Sequence, residues 1–422
     1  QRAFEAARPS ADTEWGVAAL RQALRADLEL GRTLQASARF SAVNAAKGAD
    51  ARTRAENALA WVDRFPNAQS RAALLAAAGE ADRGDVWLDC ALALPKAYAG
   101  AADRDAALAT LLRLLDAPGL SSSVEARLAL AASALASDPA QAVTLARRAV
   151  EVARVDDLRR QALATLGTLL CGDPDPAAVK EGLDALDQAV RLDPSAADAP
   201  SLLLYIAETL AAQGRHEDAL AAYDRWVAGY DVPELRVRVR RGRGRTLLAA
   251  GRPDEALASL TEAIELADTA TLRRELSIEA VEAALAAKRY ARAETLCQEL
   301  LKEAPSAAIS LRLARALEAA GDNESARRAY AATRDDPQAS EDDAYTAATR
   351  LAALLAKEGR LQAAIAEFTR FLPRTQNPAH QATLRLERGR AYYALAQRDS
   401  DRFQLGRARD DFAALEGADD PA

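Results

Sequence analysis

Residues 202–233 read LLLYIAETLAAQGRHEDALAAYDRWVAGYDVP, and Gly214 divides them into two segments rich in Ala and Leu, which favour helix. Glycine ends a helix readily because, without a side chain, it adopts the left-handed backbone conformation at little cost. Ala219 lets a second helix approach the first closely, and Tyr223, one turn later, fills the gap toward a neighbouring pair. Pro233 prevents the second helix from continuing. The stretch predicts an antiparallel helix pair.

The same arrangement of a turn, a small residue and a large apolar residue recurs downstream. The turn positions are 214, 251, 288, 321 and 359, separated by 37, 37, 33 and 38 residues. The later copies carry Ala at the close-approach position and Leu, Cys, Tyr or Phe four residues on: Ala256 and Leu260, Ala293 and Cys297, Ala326 and Tyr330, Ala364 and Phe368. A period near 34 residues with loops of variable length predicts a repeat array, in which each helix pair is buried by its neighbours.

Fainter copies extend the pattern in both directions, giving about eight helix hairpins between residues 121 and 416. One of them carries Gly182 where the other copies have Ala. Residues 1–118 contain further helical segments, among them RAENALAWVDRFPNAQS at 54–70, which indicates a helix, a proline stop and the next helix. We therefore predict a degenerate helical-repeat extension over residues 1–118 and an array over residues 119–422, with a weak boundary near Pro118.

The small, Gly, Ala, aromatic and Pro residues named above stand at the relative places of the 34-residue tetratricopeptide repeat (TPR) motif. The chain resembles this family most clearly over residues 198–373 and more faintly on either side. The resemblance implies an all-α fold, an α-solenoid in which antiparallel helix hairpins form a right-handed superhelix. It also implies a concave groove, lined by the first helix of each pair, that binds a peptide or protein partner.

Composition limits the function classes. Half of the 422 residues are apolar but only 5 % are aromatic, as expected where Ala and Leu pack between helices. The net charge of −7 argues against a general electrostatic affinity for nucleic acid or for anionic membranes and leaves a local basic patch open. Direct membrane insertion is not expected, since no run approaches the roughly 18 apolar residues of a span. The three cysteines, at spacings that suit neither disulfides nor a metal site, are expected to be buried apolar residues: Cys90, Cys171 and Cys297.

Catalytic and cofactor motifs are missing from the sequence. It contains no GxGxxG after a strand pattern, no GxxxxGK(S/T), no HExxH and no CxxC. Gly242 and Gly244 lie inside a predicted helix, without the strand and turn of a phosphate-binding loop. His216 stands at a turn and His380 near the start of a helix, where structural or solvated roles are expected. We therefore predict no enzymatic activity, no cofactor and no metal site.

Charged residues on the first helices are the candidate binding residues. Arg238, Arg241 and Arg245 follow an i, i+3, i+7 spacing and share one helical face. The resemblance places them in the groove, and the equivalent positions of other repeats hold further charges: Arg315, Arg390, Glu208, Glu275 and Glu282. One interpretation is an arginine stripe that recognises a carboxylate-rich peptide, because guanidinium presents a fork of donors. The other is that these arginines are solvated or pair with the glutamates.

Two functions remain open from the sequence. The first is a non-enzymatic scaffold that binds a peptide or protein partner, possibly an acidic one, in the groove. The alternative is the regulatory, sensor or periplasmic TPR segment of a larger bacterial signalling or envelope secretion protein. The chain has no Met and begins at Gln1, which indicates a processed or partial sequence. We expect a soluble bacterial protein of the cytoplasm or periplasm; the partner and the oligomeric state are left undetermined.

Overall fold

The computed structural model describes residues 14–30, 33–46, 49–62, 68–79, 85–98 and 104–415. These residues form twenty-two α-helices and no strand. The chain separates into two compact units, Gln1–Ile206 and Ala207–Ala422. Pro66, the predicted proline stop between two early helices, lies outside the described residues. The predicted boundary near Pro118 stays a prediction.

The first unit contains ten helices and the beginning of an eleventh. They are α1 (Glu14–Glu29), α2 (Thr33–Ala45), α3 (Ala51–Val62), α4 (Ala68–Ala78), α5 (Asp85–Tyr98), α6 (Arg104–Leu115), α7 (Ser122–Leu135), α8 (Pro139–Val152), α9 (Asp156–Cys171) and α10 (Pro176–Leu192). Helix α11 (Ala199–Ala212) contains the division between the units. Asp138 and Asp175 cap α8 and α10 by accepting hydrogen bonds from backbone N–H groups of the first turn, and proline follows each cap.

The second unit contains the end of α11 and eleven further helices. They are α12 (His216–Gly229), α13 (Pro233–Ala249), α14 (Pro253–Leu266), α15 (Ala270–Ala286), α16 (Tyr290–Glu303), α17 (Ala307–Ala320), α18 (Asn323–Asp335), α19 (Glu341–Lys357), α20 (Leu361–Phe371), α21 (Pro378–Asp399) and α22 (Arg402–Ala413). A short 3-10 turn, Leu372–Arg374, follows α20. Proline is the first residue of α13, α14 and α21, where its missing N–H leaves no helical bond unmade.

Packing within each unit is local in the chain. From α13 to α22 every helix packs on the next one, and the first helices α15, α17, α19 and α21 also touch one another in sequence. In the first unit α7 touches α9 in the same way. A helix that contacts only its near neighbours in the chain is typical of a repeat array rather than of a single central core. The predicted all-α fold of antiparallel helix pairs is confirmed.

The residues that the repeat pattern predicted to be buried are buried. Ala219, Ala256, Ala293, Ala326 and Ala364, the close-approach positions of the second helices, are all 0 % exposed. The large residues four positions later are at most 5 % exposed: Tyr223, Leu260, Cys297, Tyr330 and Phe368. Burial raises the pKa of the Cys297 thiol to about 12, so that Cys297 stays protonated and packs as an apolar residue.

All five predicted turn positions adopt the left-handed conformation. Four are glycines with φ between 72° and 90°, and the fifth is Lys288 with φ of 57°. In each turn the following N–H donates to the carbonyl five residues earlier, for example Arg252 N to Leu247 O at 2.9 Å and Arg289 N to Ala284 O at 2.8 Å. This is the Schellman hydrogen bond that ends a helix. Lys288 therefore occupies a position that glycine adopts at lower cost.

Lys288→Gly is expected to stabilise the protein by about 0.5–1 kcal/mol, because the strain of a positive φ is relieved while the helix-ending hydrogen bond is kept. Urea unfolding followed by circular dichroism measures the change. Lys180→Gly is the control: Lys180 is exposed inside α10, so glycine should cost about 1 kcal/mol there. A loss of stability from both substitutions would contradict the expectation.

Helices α9 and α10 cross at a contact between two glycines. A Cβ added to Gly167 would lie 2.6 Å from Leu186 Cγ and 2.7 Å from the carbonyl oxygen of Gly182. A Cβ on Gly182 would lie 2.9 Å from both the backbone N of Cys171 and the carbonyl oxygen of Gly167. The backbones are closer than an alanine permits, which explains why this repeat departs from the Ala pattern at Gly182.

Candidate functional site

Arg238 binds the carboxylate of the preceding first helix. Its Nε and Nη2 each lie 2.6 Å from a different oxygen of Glu208, so that the pair is bidentate. This geometry places two donors of the planar guanidinium opposite the two carboxylate oxygens. The hydrogen bond from Arg238 to Glu208 raises the pKa of the arginine.

Arg241 and Arg245 bind carboxylates of the following first helix. Arg241 Nε donates to Glu279 Oε1 at 2.9 Å, and its Nη2 lies 3.1 Å from Glu275 Oε2. Arg245 Nε donates to the other oxygen of Glu279 at 3.0 Å. Glu279 therefore holds two arginines, and the sequence analysis did not select it. It lies one helical turn after Glu275 on α15, and that spacing was the available signal.

We call this set the ionic network: Arg238, Arg241, Arg245, Glu208, Glu275 and Glu279. Burial opposes ionisation of Glu279, but hydrogen bonds from Arg245 and Arg241 outweigh it and lower the pKa of the carboxyl below its ordinary value. Three cations face three carboxylates, so that the network carries no surplus charge. The pairing with glutamates that the sequence left open is the arrangement found here, and the three arginines do not form an unpaired positive stripe.

The remaining candidate residues lie on α15, which also belongs to the ionic network, and on two further helices, α17 and α21. Glu282 on α15 accepts a hydrogen bond from Arg312 Nε of α17 at 2.6 Å, so it is paired across a helix interface. Arg315 is exposed on α17. Arg390 on α21 is 63 % exposed and donates through Nη1 to Glu387, one turn earlier on the same helix, at 2.6 Å. The structure therefore separates the predicted set into residues paired between helices and two exposed arginines, Arg315 and Arg390, nearer the C-terminal end.

A cavity of about 450 Å³ lies between α19, α20 and α21, and we call it the α19–α21 cavity. Its polar lining residues are Thr349 and Arg350 on α19 and Thr383, Glu387 and Arg390 on α21. Apolar side chains complete the wall, among them Tyr345, Ala353, Leu361, Phe368 and Ala391. The cavity has the size range of a site for a small ligand or for a few side chains of a peptide. Of these lining residues, only Arg390 was named as a candidate binding residue in the sequence analysis.

His380 packs against an aromatic ring. Its ring stacks on Tyr345 with a centroid separation of 3.8 Å and an interplanar angle of 4°. The carboxylates of Glu341 and Asp342 lie 4.0 and 3.6 Å from its two ring nitrogens. In the part of the chain that the structure describes, no three His, Cys, Asp or Glu residues are grouped so that they could hold a metal ion. Nor does any helix there combine the length and the hydropathy required to cross a bilayer.

Two family models, both described as tetratricopeptide repeat, match the chain between residues 198 and 380. One matches residues 198–269, and the other matches residues 241–308 and again 311–380. These matches cover the helix pairs, the left-handed turns and the buried Ala and aromatic positions described above. Residues 198–308 and 311–380 therefore match the tetratricopeptide repeat family, as the resemblance predicted. Tetratricopeptide repeats commonly mediate interactions between proteins.

Several solved structures are similar to the chain at low sequence identity. A tetratricopeptide repeat protein from Parabacteroides merdae is 17% identical, with a TM-score of 0.40, covering 62% of this chain and 94% of its own. The apo form of RapI is 9% identical, with a TM-score of 0.44 and coverages of 70% and 85%. PilF from Pseudomonas aeruginosa is 20% identical, with a TM-score of 0.33 and coverages of 55% and 99%. No curated protein matches the chain.

Proposed function

We propose that the chain is a non-enzymatic interaction scaffold that binds a peptide or protein partner along the first helices of its second unit. We call this surface the first-helix face, formed by Glu208 of α11 and by the outward residues of α13, α15, α17, α19 and α21. The match of residues 198–380 to tetratricopeptide repeat models supports a protein partner, since such repeats commonly mediate interactions between proteins. The proposal does not require a cofactor, a nucleic acid or a membrane.

One observation carries the choice of this face. Side chains of successive first helices contact each other directly, as in the pairs Arg238–Glu208, Arg241–Glu279 and Arg312–Glu282, so their charged ends lie side by side rather than apart. The same face contains the α19–α21 cavity. A surface with both a defined charge pattern and a recess gives a partner more to recognise than isolated helix edges do.

Site-specific photo-crosslinking in cells of the source organism tests the proposal. A photoreactive benzoylphenylalanine replaces Arg315, which is exposed on the first helix α17 outside the cavity lining, or Ala366, which is exposed on the second helix α20. We expect a partner protein to be crosslinked from position 315 and not from position 366, with the joined peptides identified by mass spectrometry. Adducts from position 366 alone would place recognition on the second helices and refute the proposed function.

A further inference from the structure

We infer that the α19–α21 cavity recognises an extended segment of a partner protein in which an Asp or Glu lies beside a compact apolar side chain. The inference rests on the proposed function and locates it more narrowly. It also differs from the interpretation of Arg238, Arg241 and Arg245 as the recognition residues. Two sections of the first-helix face differ in their contacts: the section with the ionic network and the section with the α19–α21 cavity.

The first step compares equivalent positions in two repeats. Counting back 13, 10 and 6 residues from the turn glycine gives Arg238, Arg241 and Arg245 before Gly251, and Thr346, Thr349 and Ala353 before Gly359. In the first repeat these positions hold long side chains that close the face through the ionic network. In the second repeat they hold short side chains, and the space left above α19 is the cavity. Recognition is therefore expected where the face is open.

The second step concerns the charge of the opening. Arg350 is 58% exposed, and its nearest carboxylate, Glu318, lies 3.9 Å away, beyond hydrogen-bond distance. Glu318 already accepts a hydrogen bond from the Tyr330 hydroxyl at 2.6 Å. Arg390 is 63% exposed and forms an ion pair with one carboxylate, that of Glu387. Because each guanidinium has five N–H donors, both arginines keep donors for an incoming carboxylate. The lining therefore carries two positive charges and one negative charge, that of Glu387.

The third step concerns the apolar part of the cavity. Phe368 is 5 % exposed and forms part of the wall with Leu361 and Ala391. The ring of Tyr345 is fixed at one side by its stacking on His380. Such a wall favours an apolar side chain but has no room for a large partner element, since the whole cavity is about 450 Å³. The two arginines at the rim and this wall together require the acidic and apolar groups to be neighbours in the segment.

A display library of random dodecapeptides, selected on the purified chain, is the test. We expect the selected peptides to contain Asp or Glu next to Ala, Val or another compact apolar residue. Binding of a selected peptide should fall at least tenfold in Arg350→Glu/Arg390→Glu. The matched control is Arg292→Glu/Arg328→Glu, which makes the same change in net charge on exposed positions of the second helices α16 and α18 and should bind normally. Thermal melts of both variants verify that each remains folded.

A third variant, Ala353→Trp, fills the cavity without changing the charge. It should remove the preference for the compact apolar residue while acidic peptides still bind weakly. Selected peptides that lack acidic residues, or that bind the Arg350→Glu/Arg390→Glu variant as well as the native chain, would overturn the inference. So would the selection of no peptide at all. The proposed function would survive these three results if the crosslinks still arise from the first helices, so the two failures are distinguishable.

Discussion

Replacing Gly182 with leucine is expected to destabilise the protein by about 3 kcal/mol, the upper end of the usual cost of overpacking. The added side chain would have to occupy space taken by the backbone of α9, where the Cys171 nitrogen and the Gly167 carbonyl oxygen both lie 2.9 Å from a Cβ. Backbone atoms inside a helix cannot rotate away as a flexible side chain does. The two helices must separate, and their shared core is then exposed. Urea unfolding followed at 222 nm measures the loss.

Gly406→Leu is the matched control for this prediction. Gly406 lies inside α22, and an added Cβ there meets no atom within 4 Å. The substitution should therefore leave stability unchanged or increase it by up to about 1 kcal/mol, because leucine is the better helix former. Equal effects at the two positions would show that the close crossing of α9 and α10 does not limit the size of residue 182.

Reversing Arg241 and Arg245 together to glutamate is expected to destabilise the protein by about 2 kcal/mol. The estimate lies between the small value of an exposed ion pair and the 3–5 kcal/mol lost when a buried pair is broken, since Glu279 is 20% exposed. The reversal removes both partners of Glu279 and sets two new carboxylates against Glu275 and Glu279. If these arginines formed the unpaired recognition stripe of the first interpretation, the variant would lose its partner while its melting temperature stayed nearly unchanged. The structure leads us to expect lower melting.

Adding Glu279→Arg to the reversed variant provides the test of this explanation. The third substitution restores opposite charges across α13 and α15, and it should recover much of the lost melting temperature. The pKa of Glu279 is lower in the folded chain than its ordinary value, so its contribution to stability is complete at neutral pH and is lost as the pH falls through that lowered pKa. Absence of recovery in the triple variant at neutral pH would mean that packing, not charge, causes the loss.

The sequence predicted the fold well because repetition averages over local uncertainty. A glycine at one turn is weak evidence, but five turns at similar spacing, each followed by a small residue and then a large apolar one, indicate one architecture. The same reasoning placed Lys288 correctly, although lysine alone gives no sign of a left-handed conformation. Gly182 was noticed as a departure from the pattern, but its cause is the distance between two backbones, which no single helix reveals.

The candidate site could be predicted only in part, for a physical reason. Helical spacing shows that Arg238, Arg241 and Arg245 share a face, and this is correct. It does not show which carboxylates of the neighbouring helices reach them, since that depends on the separation and rotation of two packed helices. Glu279 was missed for that reason. The α19–α21 cavity was missed because it is an absence of side-chain volume between three helices rather than a motif.

The ionic network has a consequence for how such a chain can change in length. The residues that form ion pairs between successive first helices are acidic on α11, basic on α13 and acidic again on α15. Duplicating or deleting one helix pair in this section would bring Glu208 next to Glu275 and Glu279, or arginines next to arginines. Insertion of two consecutive pairs would keep the alternation. The helix pair is thus the unit of architecture here, but the unit that evolution can copy without an electrostatic cost is twice as long.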